Sequence, residues 1–328
     1  MLSGLSLPAL ALLAIAGVIL DMLLGETRRW HPLVGFGRFA SRLERQFNPL
    51  TPTRPGLTTD SSRCLLYGAL AWTLAVIPIV LLTIWMLHLL PIAGALMMHA
   101  VLLYLCIGLR SLRDHTIPIA QALAVDDLVI ARSLTSRIVS RDTSQAQPAD
   151  LSKAAVESLL ENGNDAVFGT IFWFVVAGGP GAVLFRLVNT LDAMWGYRTP
   201  RYNLFGRVAA RIDDGLNWVP ARLTAVSYAL LGRTSLALQC WRTQAPAWPS
   251  PNAGPVMATG AGALGLRLGG AATYDGVLED RPPLGSGTEA GGADIQRAWQ
   301  LVLRTTILWL VLLSASAITF FFMFDMRA

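Results

Sequence analysis

The chain has 328 residues, of which 53% are hydrophobic and only 14% are charged, and its mean hydropathy is +0.50. This composition excludes an ordinary soluble domain and favours a polytopic membrane protein. The formal net charge of +5 comes almost entirely from arginine, because Lys153 is the one lysine. The planar guanidinium group of arginine suits bidentate binding of phosphate and carboxylate groups. A GC-rich genome explains the preference for arginine over lysine equally well. The three cysteines, Cys64, Cys106 and Cys240, have no metal-type or paired spacing, so neither a disulfide nor a zinc site is expected.

Residues 5–24 form an apolar run long enough to cross about 30 Å of hydrocarbon. No basic residue precedes the run and no small-residue cleavage site follows it, so we predict a retained span rather than a signal peptide. Residues 26–63 form an arginine-rich loop, which the positive-inside rule places in the cytoplasm, with the N-terminus outside. Within this loop, residues 31–47 predict an amphipathic helix on the membrane surface. Its apolar side carries Phe36, Phe39, Leu43 and Phe47.

Two further spans are predicted at 65–89 and 92–109, separated by a break at Pro91. His88 and His99 lie in or near these spans without a partner spacing, which favours interfacial or packed histidines over ligands. Residues 114–164 predict a cytoplasmic segment of amphipathic helices. A last span at 299–324 begins beside arginines and therefore runs from inside to outside, which places both termini outside.

The apolar run at 166–191 is interrupted by glycines and a proline at 178–181. A straight span would place the following arginines outside, against the charge rule, whereas a re-entrant pair of half-helices returns them to the inside. We favour re-entry, and a straight span remains the alternative. Small residues dominate 250–270, which allows close helix packing or close approach of backbone to a ligand. Residues 284–294 predict a glycine-rich flexible loop.

Polar chemistry is concentrated at 141–222. Glu157, Glu161 and Asp165 are spaced i, i+4 and i+8, so a helix would align three carboxylates on one face. Like charges at this spacing repel by a few tenths of a kcal/mol, so the pattern predicts a cation, a basic partner or a substrate that balances them. A solvated helix face is the alternative.

Two sets of oxygen-bearing side chains fit a magnesium–phosphate site, since Mg²⁺ is usually held by one or two carboxylates plus substrate phosphates. The acids with this property are Glu157, Glu161, Asp165, Asp192, Asp213 and Asp214. The neutral amides that could orient a polar substrate are Asn162, Asn189, Asn217 and Asn252. Neither a Walker A sequence nor a Rossmann glycine fingerprint is present, which does not exclude the use of a nucleotide.

An ordered set of motifs closely resembles the CbiB/CobD family of cobalamin-biosynthesis membrane proteins. The motifs are DMLLGETRRWHPLVGFGR from Asp21, RDTSQ from Arg141, AVESLLEN with Asp165, VNTLDAMWGYR from Val188, AARIDD from Ala209 with Asn217, PAR at 220–222, SPNAG from Ser250 and LGG from Leu268. The resemblance covers residues 21 to about 285. The chain departs from the family pattern at Gly169-Thr170, where a proline is common, and this affects the expected helix break rather than the acids.

The resemblance implies an adenosylcobinamide-phosphate synthase, an amide-forming ligase. This enzyme joins a carboxylate of the corrinoid adenosylcobyric acid to aminopropanol phosphate or a related amino alcohol, with ATP and Mg²⁺ as cofactors. Together with the residue pattern it gives three sets of site residues. The candidate catalytic residues are Glu157, Glu161, Asp165 and Asp192. The candidate metal ligands are Glu161, Asp213 and Asp214. The candidate substrate- and phosphate-binding residues are Arg141, Asp142, Asn162, Asn189, Tyr197, Arg198, Arg211, Asn217, Arg222 and Asn252.

We therefore predict an all-α polytopic membrane protein forming one integral-membrane domain over 1–328. It has about four transmembrane helices, a re-entrant hairpin at 166–191 and cytoplasmic amphipathic helices. The expected location is the bacterial inner membrane, with a catalytic region at 110–298 facing the cytoplasm. The lipid bilayer is an expected partner and nucleic acid is not. A homo-oligomer, a contact with other corrinoid enzymes, the identity of the amino alcohol and the choice of metal-binding acid stay open.

Two other function classes compete with the ligase. A transporter or channel could use the broken hairpin and the acidic helix as an ion pathway, but such a protein places acids at mid-membrane depth in several spans. A non-catalytic scaffold for other corrinoid enzymes would leave the acidic cluster unexplained.

Overall fold

The computed structural model describes residues 2–27, 31–50, 61–274 and 277–324, so the arginines predicted to be cytoplasmic at 28, 29 and 54 lie outside the described residues. The helices are α1 (Leu7–Leu24), α2 (Pro32–Phe47), α3 (Ser61–Leu89), α4 (Ile92–Cys106), α5 (Leu109–Ala124), α6 (Leu128–Thr135), α7 (Pro148–Asn162), α8 (Gly169–Trp195), α9 (Arg207–Leu231), α10 (Thr234–Gln244), α11 (Ala253–Leu264) and α12 (Gly292–Phe324). The strands are β1 (Leu266–Gly269), β2 (Ala272–Tyr274), β3 (Val277–Glu279), β4 (Pro283–Gly285) and β5 (Thr288–Glu289).

Within the described ranges, five helical segments are long and apolar enough to cross a membrane. They are Leu7–Leu24, Ser61–Leu89, Ile92–Ala124, Pro148–Trp195 and Gly292–Met323. The four predicted spans lie in four of these segments, and the run at 166–191 lies in the remaining one. Exposed apolar side chains, such as Trp85 on α3 and Val311 on α12, are typical of a lipid-facing surface. The predicted fold class, an all-α polytopic membrane protein, is confirmed.

The chain divides into two compact units: Met1–Ile107 with Thr170–Asn217, and Gly108–Gly169 with Trp218–Ala328. We call them unit 1 and unit 2. Membrane-length helices occur in both, α1 and α3 in unit 1 and α12 in unit 2. The division therefore does not separate a membrane part from a soluble part.

In unit 1, α1 packs against α4 and the amphipathic α2 packs against α3. The predicted amphipathic helix is confirmed, because α2 buries Phe36 and Leu43 and exposes its arginines at 42 and 45. Phe39, on the same predicted side, is 38% exposed and so does not pack inside the protein. Ala40 and Glu44 are also buried, because they follow Phe36 by one and two helical turns and therefore lie on the same face.

The predicted interruption of the apolar run at 178–181 is confirmed by a break within α8. Ala177 and Gly178 have non-helical backbone angles, and Gly178 has φ +65° and ψ −153°, a conformation that is accessible chiefly to glycine. Nδ1 of His99 accepts a hydrogen bond of 2.8 Å from the freed N–H of Gly179. His99 is therefore a packed histidine, as expected. Re-entry of the broken helix remains a prediction.

In unit 2, every residue of α11 is buried, and small side chains make its close packing possible. A Cβ added at Gly260 would lie 2.7 Å from a methyl group of Leu160, and one at Gly262 would lie 2.8 Å from the Ala237 backbone. The small-residue stretch at 250–270 thus serves close packing, one of the two roles predicted for it.

A small sheet follows α11, with β1 between β4 and β5. β1 pairs antiparallel with β4 and parallel with β5, while β2 and β3 form a separate antiparallel pair. The expectation of a flexible loop at 284–294 is therefore wrong. Gly285 has φ +74° and lies against the Leu266 carbonyl group, so its lack of a side chain serves close strand approach rather than mobility.

Candidate active site

Helix α7 carries the two acids of the candidate site that lie one turn apart, Glu157 and Glu161. The helix begins at Pro148, whose missing N–H is not needed in the first turn. Asp150 strengthens this start by accepting a hydrogen bond of 3.3 Å from the backbone N–H of Gln147. α7 packs against α5, α11 and α12 within unit 2, which buries most of its surface.

The carboxylate of Glu157 lies at the centre of a buried ionic cluster, with only 3% of its side chain exposed. Its Oε2 accepts hydrogen bonds from Nη2 of Arg141 at 2.5 Å and from Nη1 of Arg281 at 3.1 Å. Its Oε1 accepts from the backbone N–H of Gly269 at 2.8 Å and from Nη2 of Arg281 at 3.3 Å. The basic partner predicted from the acidic row is therefore part of the protein itself, at least for Glu157.

Arg281 is the residue of this cluster that sequence reasoning missed. Besides its two bonds to Glu157, its Nε donates to the Gly270 carbonyl at 3.1 Å. Its guanidinium also lies 5.6 Å from the centre of the Trp248 ring, within the range of a cation–π interaction. Arg281 follows Glu157 by 124 residues and lies in a segment rich in glycine and proline, so no local spacing identifies it.

A cavity of about 260 Å³ opens beside this cluster. The polar residues lining it are Ser140, Arg141, Glu157, Ser158, Glu161, Asn162 and Arg281. Trp248 and Met257 supply apolar wall, and the Arg141 and Arg281 side chains are only 12% and 14% exposed. The structure therefore brings four predicted site residues, at 141, 157, 161 and 162, around one half-open polar cavity.

Asp165 does not line this cavity, because α7 ends at Asn162 and a π-helical segment, Gly163–Phe168, follows. The wider π turn shifts Asp165 out of the i, i+4, i+8 row, so the predicted alignment of three carboxylates is wrong at its third member. Instead, Oδ1 of Asp165 accepts from the side-chain amide of Asn164 at 2.9 Å. The oxygen of that amide accepts from the Thr224 hydroxyl at 3.0 Å.

Arg222 and Asn252, two predicted substrate-binding residues of unit 2, contact each other. Nη1 of Arg222 donates to Oδ1 of Asn252 at 2.8 Å, and the guanidinium stacks 4.5 Å from the Trp218 ring centre. The preceding Ser250 accepts from the Ala253 N–H at 3.1 Å and so supports the start of α11. This part of the SPNAG motif has a structural explanation.

Asp142 lies beside Arg141 but is exposed and does not line the cavity. Its Oδ1 accepts a hydrogen bond of 2.8 Å from the Ser144 N–H, and the hydrogen bonds from Ser144 lower the pKa of this carboxyl group. Asp142 therefore stabilises the turn that leads into α7.

The remaining predicted residues belong to unit 1. Asp213 is buried and accepts from the side-chain amides of Asn217 at 3.1 Å and Asn189 at 3.5 Å. Asp192 is close enough to Asp213 and Asp214 for their charges to interact. These five residues thus form a second polar cluster.

Two of the three remaining residues, Arg198 and Arg211, interact with this second cluster in unit 1. Burial raises the pKa of Asp214, and the charges of Arg211 and Arg198 oppose this rise. Tyr197 is 50% exposed.

No group of three or more His, Cys, Asp or Glu side chains within 2–27, 31–50, 61–274 and 277–324 is arranged to hold a metal ion. Glu157 is a poor ligand, because arginine and backbone donors occupy both of its oxygens. Glu161 remains in the cavity wall with the Asn162 amide. One carboxylate of this kind fits a Mg²⁺ ion that is shared with substrate phosphates and does not need a preassembled protein cluster.

Comparison with known proteins shows extensive similarity. A family model described as CobD/Cbib protein matches residues 14–302. The chain is similar to the "Cobalamin biosynthesis protein CobD" of Stutzerimonas stutzeri (strain A1501), with 57% identity over 91% of this chain and 95% of the relative. A relative with the same description from Chromobacterium violaceum is 52% identical over 92% and 95% of the two chains. One from Mycobacterium tuberculosis (strain CDC 1551 / Oshkosh) is 37% identical over 86% and 88%. No solved structure matches the chain.

Proposed function

This chain belongs to the CobD/CbiB family of cobalamin-biosynthesis proteins, and we propose that it is the adenosylcobinamide-phosphate synthase of that pathway. In the proposed reaction, the amine of aminopropanol phosphate, or of a related amino alcohol, attacks a carboxyl carbon of adenosylcobyric acid. The amide C–N bond forms as the carboxyl C–O bond breaks, the amine nitrogen loses a proton, and the oxygen would leave on a phosphoryl or adenylyl group transferred to it from ATP. ATP with Mg²⁺ supplies the free energy for this loss of oxygen.

The observation that carries the proposal is the polar cavity of unit 2, where Arg141 and Arg281 flank Glu157 and Glu161 lies in the same wall. Amide formation between two anionic substrates needs cationic groups that bind phosphate or carboxylate oxygens. It also needs a low-dielectric site that holds amine and carboxyl carbon together and limits hydrolysis. The arginines provide the first property, and the burial of their cluster with Glu157 in the cavity wall favours the second.

Glu161 and Asn162 are the residues of this cavity that we assign to Mg²⁺ and substrate orientation. Glu161 offers carboxylate oxygens that suit a hard cation, and the neutral Asn162 amide adds no charge. The amide N–H group of Asn162 donates to the Ser158 carbonyl oxygen at 2.9 Å and to its hydroxyl oxygen at 3.1 Å. These bonds fix the rotamer of Asn162 at the cavity wall.

We propose the bacterial inner membrane as the location of the enzyme, with the cavity facing the cytoplasm. The positive-inside rule supports this orientation, because exposed arginines of α2 lie between the first two membrane-length helices. ATP and the amino alcohol phosphate are cytoplasmic metabolites, so this orientation also gives the cavity access to its substrates.

The test is direct conversion by the full chain, purified in detergent. The protein is incubated with adenosylcobyric acid, aminopropanol phosphate, ATP and Mg²⁺, and the amide is detected by its mass, with each component omitted in turn. Glu161→Gln should reduce conversion. The matched change Asp114→Asn, at a half-exposed carboxylate on α5, should not. A folded protein that forms no amide but moves corrinoid or cation into proteoliposomes would replace this proposal with the transporter.

A further inference from the structure

We propose that Arg141 binds the phosphate monoester of the amino alcohol substrate in the unit 2 cavity and that Glu157 is a positioning residue rather than a catalytic one. Arg281 and Trp248 form the fixed wall of this phosphate site. The proposal rests on the function proposed above and assigns one of its substrates to a place.

Glu157 has no oxygen left for chemistry. Its two oxygens accept four hydrogen bonds, from Arg141, twice from Arg281, and from the Gly269 N–H. A carboxylate held by this many donors is a weak base and a poor metal ligand, because each proton or cation would have to displace a guanidinium. Its role is to hold two arginine side chains in fixed positions.

The two arginines differ in how many of their donors the protein uses. Arg281 donates from all three nitrogens, Nε to the Gly270 carbonyl and both terminal nitrogens to Glu157. Arg141 has one acceptor among the described residues, Glu157, which leaves four of its five N–H groups without a protein acceptor. Its side chain is only 12% exposed and lines the cavity, so water access is limited.

An enclosed guanidinium with unused donors requires an acceptor with several oxygens, because buried polar groups are nearly always hydrogen-bonded. A phosphate monoester supplies three such oxygens and accepts bidentate bonds from the planar fork. The charges of Arg141, Arg281, Glu157 and Glu161 sum to zero, and a Mg²⁺ ion held by Glu161 would raise the sum to +2, which attracts an anion. The cavity therefore selects a phosphate or carboxylate group.

The size of the cavity favours the smallest of the three anionic substrates as the one that it surrounds. Its volume of about 260 Å³ lies below the ~300–1,000 Å³ of pockets that enclose drug-sized ligands. A short amino alcohol phosphate fits within this space, whereas a corrin macrocycle or a nucleoside triphosphate would have to extend out of it. Trp248 and Met257 give the carbon chain of the amino alcohol an apolar wall.

The experiment compares two amine substrates that differ only in the phosphate, aminopropanol phosphate and aminopropanol. In Arg141→Gln we expect kcat/KM for the phosphorylated amine to fall about 100-fold or more, a change typical of a lost charged contact. In the same variant, kcat/KM for aminopropanol should change less than about twofold. The KM values for ATP and adenosylcobyric acid should also change less than about twofold. Arg141→Lys keeps the charge but not the fork and should restore part of the difference.

Arg267→Gln is the matched control, because Arg267 is 60% exposed and pairs with the exposed Glu289. This variant should retain the wild-type preference for the phosphorylated amine. Glu157→Gln should weaken that preference although Arg141 is still present, because the two arginines that Glu157 holds would be displaced. An equal loss for both amines in Arg141→Gln would assign Arg141 a structural role, and a raised KM for ATP or the corrinoid would assign it to that substrate. Either result overturns the proposal.

A binding measurement separates this proposal from the proposed reaction. Thermal shifts of wild-type and Arg141→Gln protein are recorded with aminopropanol phosphate and with aminopropanol, without the other substrates. Stabilisation of the wild type by the phosphorylated amine alone, lost in Arg141→Gln, would support the phosphate site even if no amide forms. Amide formation with unchanged phosphate preference in the variant would overturn the phosphate site and leave the reaction intact.

Discussion

Replacing Glu157 by glutamine should destabilise unit 2 strongly, although the two side chains have the same shape. Oε2 of Glu157 accepts from Arg141 and Arg281, and Oε1 accepts from Arg281 and the Gly269 N–H. Glutamine has one oxygen and one NH₂ group. Whichever way its amide is turned, the NH₂ group faces N–H donors, either both guanidinium groups or the Gly269 backbone together with Arg281.

The size of the effect follows from burial. Removing one partner of a buried ion pair costs about 3–5 kcal/mol, because the remaining charges are left uncompensated. A buried donor left without an acceptor accounts for about 1–3 kcal/mol, and this cost overlaps with the first. We therefore expect the free energy of unfolding to fall by about 3 kcal/mol, roughly a 100-fold change in the folding equilibrium.

The matched control is Glu289→Gln, which makes the same chemical change in an exposed pair. Glu289 lies 2.7 Å from Arg267, but the two side chains are 69% and 60% exposed, so the loss should be at most about 1 kcal/mol. Unfolding of both variants is followed by circular dichroism during a titration of detergent micelles with SDS. Equal stability of the two variants would refute the view that Glu157 holds the arginines in a low-dielectric cluster.

Three other predictions concern activity and topology. Glu161→Gln should lower kcat/KM at least about tenfold (~1.4 kcal/mol) in a folded protein, and excess Mg²⁺ should restore part of the lost activity. Activity equal to that of Asp114→Asn would contradict the assignment of Glu161 to Mg²⁺. Joint replacement of Arg42 and Arg45 by glutamine should leave turnover within about twofold of the wild-type value, because both arginines lie on the exposed side of α2 and meet lipid or solvent. Loss of turnover in correctly inserted protein would contradict this prediction. A cysteine introduced at the exposed Ser286 should resist an impermeant thiol reagent in intact cells, and strong labelling would reverse the proposed orientation.

The lengths of the apolar runs and the positions of the glycines and prolines that interrupt them were sufficient to predict the helical framework. A run of about 20 apolar residues has few alternatives to a helix in lipid, which is why the segments at 5–24, 65–89, 92–109 and 299–324 could be placed. The break near 178 was also predictable, because Pro180 has no N–H to donate within a helix and Gly178 can adopt the positive φ that interrupts it. Periodicity identified α2, but it could not decide whether Phe39 faces protein or the surroundings.

The site could be predicted only in part, because its partners are distant along the chain. Glu157, Glu161 and Arg141 lie within 21 residues and share the cavity, so a helical spacing found two of them and an adjacent motif found the third. Arg281 comes from beyond the strands, in a stretch whose glycines indicated flexibility. The glycines at 269 and 285 allow close backbone approach in the sheet instead.

The π-helical turn after Asn162 was also beyond sequence reasoning, because α and π turns use the same residue types. One extra residue in that turn is enough to rotate Asp165 away from its predicted neighbours. The tertiary packing of unit 2, rather than a local signal, determines this choice.

The long separation between Glu157 and Arg281 has a consequence for synthesis. The ribosome adds about 5–20 residues per second, so roughly 6–25 s pass between the emergence of these two residues, which lie 124 positions apart. During that time the nascent carboxylate has Arg141 as its nearby cation and lacks the strand that supplies the Gly269 N–H. The buried charge cluster can therefore close only after translation has passed β1 and Arg281, which makes burial of Glu157 a late event in the biogenesis of unit 2.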